Sequence, residues 1–378
     1  MSRALAAALV LVVAWQATAA AAPADRPTPV FAYYYIWFTP SHAPSTVPTT
    51  GSVSWNRPKS DYPLLGRYSS DERPVMEKHI RWAKQAGIDG FIVSWKSTEV
   101  LNRRLERLIR AASKNDFKLL IIYQGLDVGR EPLPVERVAA DLDLFRDRYS
   151  GSKVFDAFDA PAVVWSGTWE FSRKQVEAVT RTRRDDLLIL ASERDRQGYE
   201  RLADLVDGNA YYWSSVNPDT YPGYERKLDE MGRSVHAHGG LWIAPAAPGF
   251  DARSVGGTTV VDRKGGATFR RQLDAATGSG PDAIGLISWN EFSESTHIEP
   301  SERYGPRYLE VLADILGAEN PAVGDLDSSE PAATDERHAL ALLGGLVVLV
   351  IGGVAVVRRR RYTAQAISRT GDRHSPER

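Results

Sequence analysis

Three glutamates, Glu291, Glu294 and Glu299, stand within nine residues of the segment Ile287 to Pro300. The segment opens as an apolar strand and turns abruptly polar at Asn290. In an extended strand, positions three apart point to opposite faces. Glu291 and Glu294 therefore share a pocket only where the chain turns after the strand, as a strand-to-helix loop allows. Two close carboxylates repel, so one keeps its proton at neutral pH and serves as an acid while the other stays charged. Cleaving a glycosidic bond needs that division of labour. The competing reading makes these glutamates helix caps, or partners of Arg303 and Arg307. It suits Glu299 best, the one furthest from the strand end. His297 has no neighbour at metal-ligand spacing, and the chain has no cysteine, so the residues call for no metal and no cofactor. His79 reads as a helix-surface residue, and His236 and His238 as solvated.

Eight strand–helix pairs must position this segment. Apolar runs occupy Val30–Trp37, Gly90–Trp95, Lys118–Tyr123, Ala162–Trp165, Leu187–Ala191, Asn209–Trp213, Leu241–Ala244 and Ala283–Trp289. Amphipathic stretches separate them, near Arg73–Ala86, Glu99–Asn115, Pro134–Tyr149, Ser172 onward, Tyr199–Leu205, Tyr221–His238, Ala267–Thr277 and Arg307–Leu316. Short, continuously apolar strands alternating with helices predict a parallel sheet buried on both faces. Eight units predict an α/β fold, a closed (β/α)8 TIM barrel over 23–316. An open doubly wound sheet is the rival, and it would usually carry a Gly-rich phosphate loop after its first strand, which this sequence lacks.

A barrel keeps its site at the C-terminal ends of its strands. Tyr35, Trp37, Trp95, Tyr123, Tyr212, Trp213, Trp289 and Asn290 fall there and are the candidate substrate-binding residues beside Glu291 and Glu294. Glu193 follows the fifth strand. Ten Trp and fifteen Tyr supply flat faces that stack on sugar rings as well as pack cores, so composition alone does not separate the two uses. A formal net charge of −1 gives no reason to expect nucleic acid as a partner.

The ends set an expected compartment. Residues 1–22 have the layout of a secretory signal peptide: Arg3, an apolar run from Ala4 to Ala14, then small residues to Ala22. An uncleaved anchor is the alternative. Residues 317–338 read as a solvated stalk. The uncharged run 339–357 reads as a transmembrane helix, and Arg358 to Arg361 place the basic tail 358–378 on the cytoplasmic side. The expected arrangement is a barrel outside the cell, tied to the membrane by one C-terminal helix.

Trp289-Asn-Glu291-Phe-Ser-Glu294-Ser-Thr-His-Ile-Glu299-Pro300 resembles the WNEWxEGTxIEP signature of glycoside hydrolase family 99, the endo-α-mannosidase and endo-α-mannanase family, related to the family 71 α-glucanases. Weaker matches follow in order. Ala32 to Phe38 resembles the first-strand segment, Leu65 to Asp71 a GxYSSxD segment, Ala86 to Trp95 the second strand, and Ala247 to Asp251 a PGYxD loop. The resemblance covers about residues 30–316. It implies retaining cleavage of an internal α-mannosidic bond through a 1,2-anhydro intermediate. Glu291 would assist the sugar's own 2-hydroxyl, and Glu294 would be general acid, then base. Ser293 and Ser295 stand where the family has His and Gly, Phe292 replaces a Trp, and Ile36 a Pro. An α-mannan-type oligo- or polysaccharide is the implied partner. A glycan-binding barrel without activity and a family 71-like α-glucanase are the alternatives. The sequence alone predicts the topology: protease added to intact cells should remove the barrel and spare a tag fused after Arg378, and a protected barrel would refute it.

Overall fold

The structure is a computed structural model that describes residues 28–39, 53–55 and 59–321. The expected signal peptide, most of the stalk, the membrane helix and the tail lie outside these residues. Among the described residues, no helix is long and apolar enough to cross a membrane.

Eight parallel strands close into a barrel: β1 (Val30–Tyr35), β2 (Gly90–Trp95), β3 (Lys118–Gln124), β4 (Ala162–Ser166), β5 (Leu188–Ala191), β6 (Gly208–Ala210), β7 (Leu241–Ala246) and β8 (Ala283–Leu286). Each strand pairs with its sequence neighbours, and β1 closes the ring against β8. The helices are α1 (Arg73–Gln85), α2 (Glu99–Lys114), α3 (Val135–Arg148), α4 (Arg173–Thr180), α5 (Arg196–Glu200), α6 (Tyr224–Ala237), α7 (Ala267–Gly278) and α8 (Arg307–Leu316). The expected (β/α)8 order is therefore the observed one. The sixth strand is shorter than expected and ends at Ala210, because the chain from Tyr211 leaves the sheet to form the barrel mouth.

Strand pleating divides the core into two shells. Phe31, Tyr33 and Tyr35 of β1 point into the barrel, with Ile92, Leu120, Ile122, Val164 and Ile243. Tyr34, Phe91, Val93, Leu119 and Ile121 point outward and pack under the helices. Parity fixes every strand end in turn. Tyr35 pairs with Ser94 and Ser94 with Ile122, so Ser94 faces inward. Trp95 and its partner Tyr123, one residue further on, must then face out.

That parity corrects three expected substrate-binding residues. Trp95 is fully buried against Tyr123, Phe145 and Tyr149, and its indole N–H donates to Asn102 Oδ1 at 2.9 Å. The Tyr123 hydroxyl donates to Asp141 at 3.1 Å. Trp289 is fully buried beside Phe91 and His79. All three fill the layer between barrel and helices. His79 is likewise buried rather than solvated, because α1 turns it toward the barrel wall. His236 and His238 are exposed, as expected.

Trp95→Ala should accordingly cost about 3–5 kcal/mol of stability, as for other buried aromatic truncations. Chemical denaturation tests this. A variant with an unchanged midpoint would return Trp95 to the solvent-facing side.

Candidate active site

A cavity of about 570 Å3 opens at the C-terminal ends of the strands. Seven of the eight strand ends or following loops reach it. Tyr35 and Trp37 follow β1, Gln124 ends β3, and Asp127 and Arg130 lie in the loop beyond. Trp169 follows β4 and Arg194 follows β5. Tyr211 to Ser215 follow β6, Phe250 follows β7, and Glu291 and Glu294 follow β8. Of the expected site residues, Glu291, Glu294, Tyr35, Trp37, Tyr212 and Trp213 line the cavity together. Asn290 does not, and its role is different.

Beyond β8 the backbone folds into a closed loop whose base is stitched at Ser288. Ser288 N–H donates to the Thr296 carbonyl at 2.9 Å, and Ile298 N–H donates to the Ser288 carbonyl at 2.9 Å. Ser288 Oγ accepts from Glu291 N–H at 2.8 Å. Glu291 and Glu294 thereby sit on one tip. Asn290 hangs that tip on the opposite end of the chain: Tyr35 N–H donates to Asn290 Oδ1 at 2.8 Å, and Asn290 Nδ2 donates to the Tyr35 carbonyl at 3.0 Å. Asn290 Nδ2 also donates to the Tyr68 hydroxyl at 3.2 Å. That hydroxyl donates to Glu299, which is held from its other oxygen by His79 Nε2 at 3.0 Å. Glu299 is thus structural, as expected, but its partners are Tyr68 and His79 rather than arginines. Glu193 also lies outside the cavity, buried and paired with Arg201 at 3.1 Å.

The two catalytic candidates differ in surroundings. Burial raises Glu291, while the nearby Lys59 and the Ser293 N–H, at 2.8 Å from Oε1, favour its ionised form. Lys59 also donates to Ser293 Oγ at 2.7 Å, so the residue that departs from the family motif joins the cation to the acid. Glu294 has no such compensation. Burial and then the charge of Glu291 push it up to about 7, against a smaller pull from Arg130. One carboxyl of the pair therefore carries a proton near neutral pH. Beside them the Tyr35 and Tyr212 hydroxyls meet at 2.7 Å. Burial keeps both phenols protonated, so one proton lies between the oxygens and the other is free to reach a third group.

Sequence reasoning missed Lys59, Arg130, Arg194 and Arg263. All four come from irregular segments, where no periodicity predicts direction. Arg263 is buried and donates to the Ser295 and His297 carbonyls at 2.9 and 2.8 Å, pinning the far side of the acidic tip. Asp251 N–H donates to the Glu294 carbonyl at 2.8 Å. His297 is buried, stacked on Phe292, and held neutral: burial and then Arg263 lower it to about 4. Among the described residues, no group of His, Asp and Glu has the arrangement of a metal site.

Fold and site together define a (β/α)8 barrel with a carboxylate pair in an aromatic mouth. The chain belongs to glycosyl hydrolase family 99, whose model matches residues 32–304. It is 23% identical over 278 residues to a glycoprotein endo-alpha-1,2-mannosidase-like protein of Danio rerio, covering 66% of this chain and 62% of that one. It is 22% identical over 263 residues to the glycoprotein endo-alpha-1,2-mannosidase of Rattus norvegicus, covering 64% and 56%. The chain thus spans about three fifths of the length of these curated relatives. The GH99 endo-alpha-mannosidase from Bacteroides thetaiotaomicron shares the fold, with a TM-score of 0.65 at 20% identity over 77% of this chain and 98% of that one.

The Glu294 shift has a sign that can be measured. Its folded value near 7 lies above the 4.5 of a free glutamate, so its contribution to stability is complete below about 4.5 and is lost as pH rises through 7. Glu294→Gln removes this loss. The variant's melting temperature should gain on wild type between pH 5 and pH 8, and a constant gap would count against a raised Glu294.

Proposed function

We propose that the chain is a retaining, endo-acting α-mannosidase-like hydrolase of a mannan-type glycan. The observation that carries this reading is the pair itself: Glu294, raised to about 7, beside a Glu291 that a lysine and a backbone N–H hold toward its ionised form. Family membership and the glycoprotein endo-alpha-1,2-mannosidase relatives support the α-mannoside. Glu294 donates its proton to the glycosidic oxygen as the C1–O bond breaks. Glu291 takes the proton of the sugar's 2-hydroxyl, whose oxygen bonds to C1 and closes the 1,2-anhydro ring. In the second step Glu294 takes a proton from water, the water oxygen bonds to C1 as the C1–O2 bond breaks, and Glu291 returns its proton to O2. Atoms and charge balance over the two steps.

Trp37 at the cavity mouth supplies an aromatic surface suited to a sugar ring, whereas Trp213 is stacked between Tyr211 and Tyr224 and reaches the cavity only at its edge. The site residues reach C1 from the loop tip after β8, and Tyr35 and Tyr212 offer a hydroxyl donor beside them. The sequence of the two ends supports action outside the cell by a membrane-tethered enzyme.

Two variants separate the roles. Glu294→Gln should lower turnover of α-mannan by roughly 10²–10⁴-fold, and much less for an activated aryl α-mannoside, whose departure needs little protonation. Glu291→Gln should be severe on both. In wild type, kcat/KM should fall as pH rises through about 7, where Glu294 loses its proton. Equal small losses for both variants, or products from α-glucan and none from α-mannan, would overturn the reading.

A further inference from the structure

Arginines on this barrel mostly have a carboxylate at hand: Arg271 meets Glu225 at 2.7 Å, Arg270 meets Asp314 at 2.6 Å, and Arg183 meets Asp143 at 2.6 Å. Arg130 and Arg194 line the cavity and form no short-range ion pair among the described residues, although Arg130 acts on Glu294 from a distance. Both are exposed to the cavity mouth. Each is held in place by other means. Arg130 ends a tight turn closed by Asp127 N–H to the Glu131 carbonyl at 2.9 Å and Arg130 N–H to the Asp127 carbonyl at 3.1 Å. Its φ is +66°, a left-handed conformation that costs a side-chain-bearing residue about 1 kcal/mol, although Gly129 stands beside it. Arg194 lies flat on Trp169, its guanidinium 3.8 Å from the ring centroid.

These loops follow β3 and β5, which flank β4 in the barrel, so the two cations and Trp169 form one wall. The acids come from β8. Asp127 shares the cationic wall, but its Oδ1 accepts the Glu131 N–H of its own turn at 3.0 Å. A neutral glycan offers hydroxyl acceptors but no charge to balance the guanidinium. A planar fork of N–H groups matches an oxyanion with two bonds, and an unpaired charge over a cavity favours one.

We propose that this wall binds an anionic substituent, phosphate or carboxylate, on the glycan whose bond lies at Glu291 and Glu294. The proposal rests on the hydrolase reading above and names its substrate class. Arg194 carries the cleaner signature: Glu294 is moved by burial, Glu291 and Arg130, and not by Arg194. A role confined to tuning the acid would therefore show at Arg130 alone.

The test uses the full-length chain carrying Glu291→Gln, so that ligand is not consumed. Calorimetry compares one α-mannan oligosaccharide in three forms: phosphorylated, enzymatically dephosphorylated, and succinylated. At least one anionic form should bind roughly tenfold or more tightly than the neutral form, about what one charge-assisted contact provides. The advantage should shrink with added salt. Adding Arg194→Gln or Arg130→Gln should bring the ratio of affinities toward one. Preference for the phosphorylated form alone assigns phosphate, and preference for both anionic forms assigns charge. Equal affinity for all three forms overturns the proposal and leaves the hydrolase reading standing. A ratio that survives both arginine substitutions overturns it as well. Anion preference in a wild-type chain that cleaves none of the three forms would sink the hydrolase reading instead.

Discussion

Asn290 holds the mouth of this barrel together. Its side-chain amide extends the seam between β1 and β8 past the last strand pair, accepting from the Tyr35 N–H and donating to the Tyr35 carbonyl. Trp289 N–H continues the same seam by donating to the Tyr33 carbonyl at 2.8 Å. An aspartate would match the donor and leave the Tyr35 carbonyl facing a charge. A leucine would leave both backbone groups buried without partners. The adjacent residue is Glu291, so the register of the acid against the aromatic wall depends on this amide. Behind it Tyr68, Glu299, His79 and Tyr34 form a chain of hydrogen bonds, all buried, that ties the seam to α1. Such a network is worth having only when every member is satisfied, and each hydroxyl, ring nitrogen and carboxylate oxygen in it has a partner.

The difference between the two acids is made by loop backbone, not by strand geometry. Both side chains belong to one tip, yet Glu291 receives an N–H and a lysine while Glu294 receives neither. Directly after the tip Ser295 takes φ +50°. The family motif has glycine there, and glycine would adopt that conformation without cost. Arg263 braces this segment from outside the cavity. It lies against the rings of Tyr304 and Tyr308, at 4.5 and 4.3 Å, and spends its Nη2 on the carbonyls that flank the turn.

The eight-unit order was legible because each strand is an unbroken apolar run and each helix has its own period. The inward parity was hidden for the same reason. Strands apolar on both faces carry no alternation, so Trp95, Tyr123 and Trp289 looked like cavity aromatics from their position at strand ends. Tyr35 reached the cavity by the parity it shares with Phe31 and Tyr33, Trp37 because the chain after β1 leaves the sheet, and Tyr212 and Trp213 because β6 stops at Ala210. Glu291 and Glu294 were legible from spacing and motif. Their electrostatic partners were not, since Lys59 and Arg130 lie far away in sequence on segments without regular structure.

The seam has a consequence for synthesis. Tyr35 comes from the first barrel unit and Glu291 from the last, and their contact through Asn290 joins positions 255 residues apart. A nascent chain that has emerged as far as β7 already owns the aromatic wall and both mouth arginines, but no acid. Premature termination within the final unit, before Glu291, would leave a polypeptide with much of the cavity wall and neither Glu291 nor Glu294. The carboxylate pair is therefore the last part of the cavity to be synthesised, and it arrives together with closure of the ring.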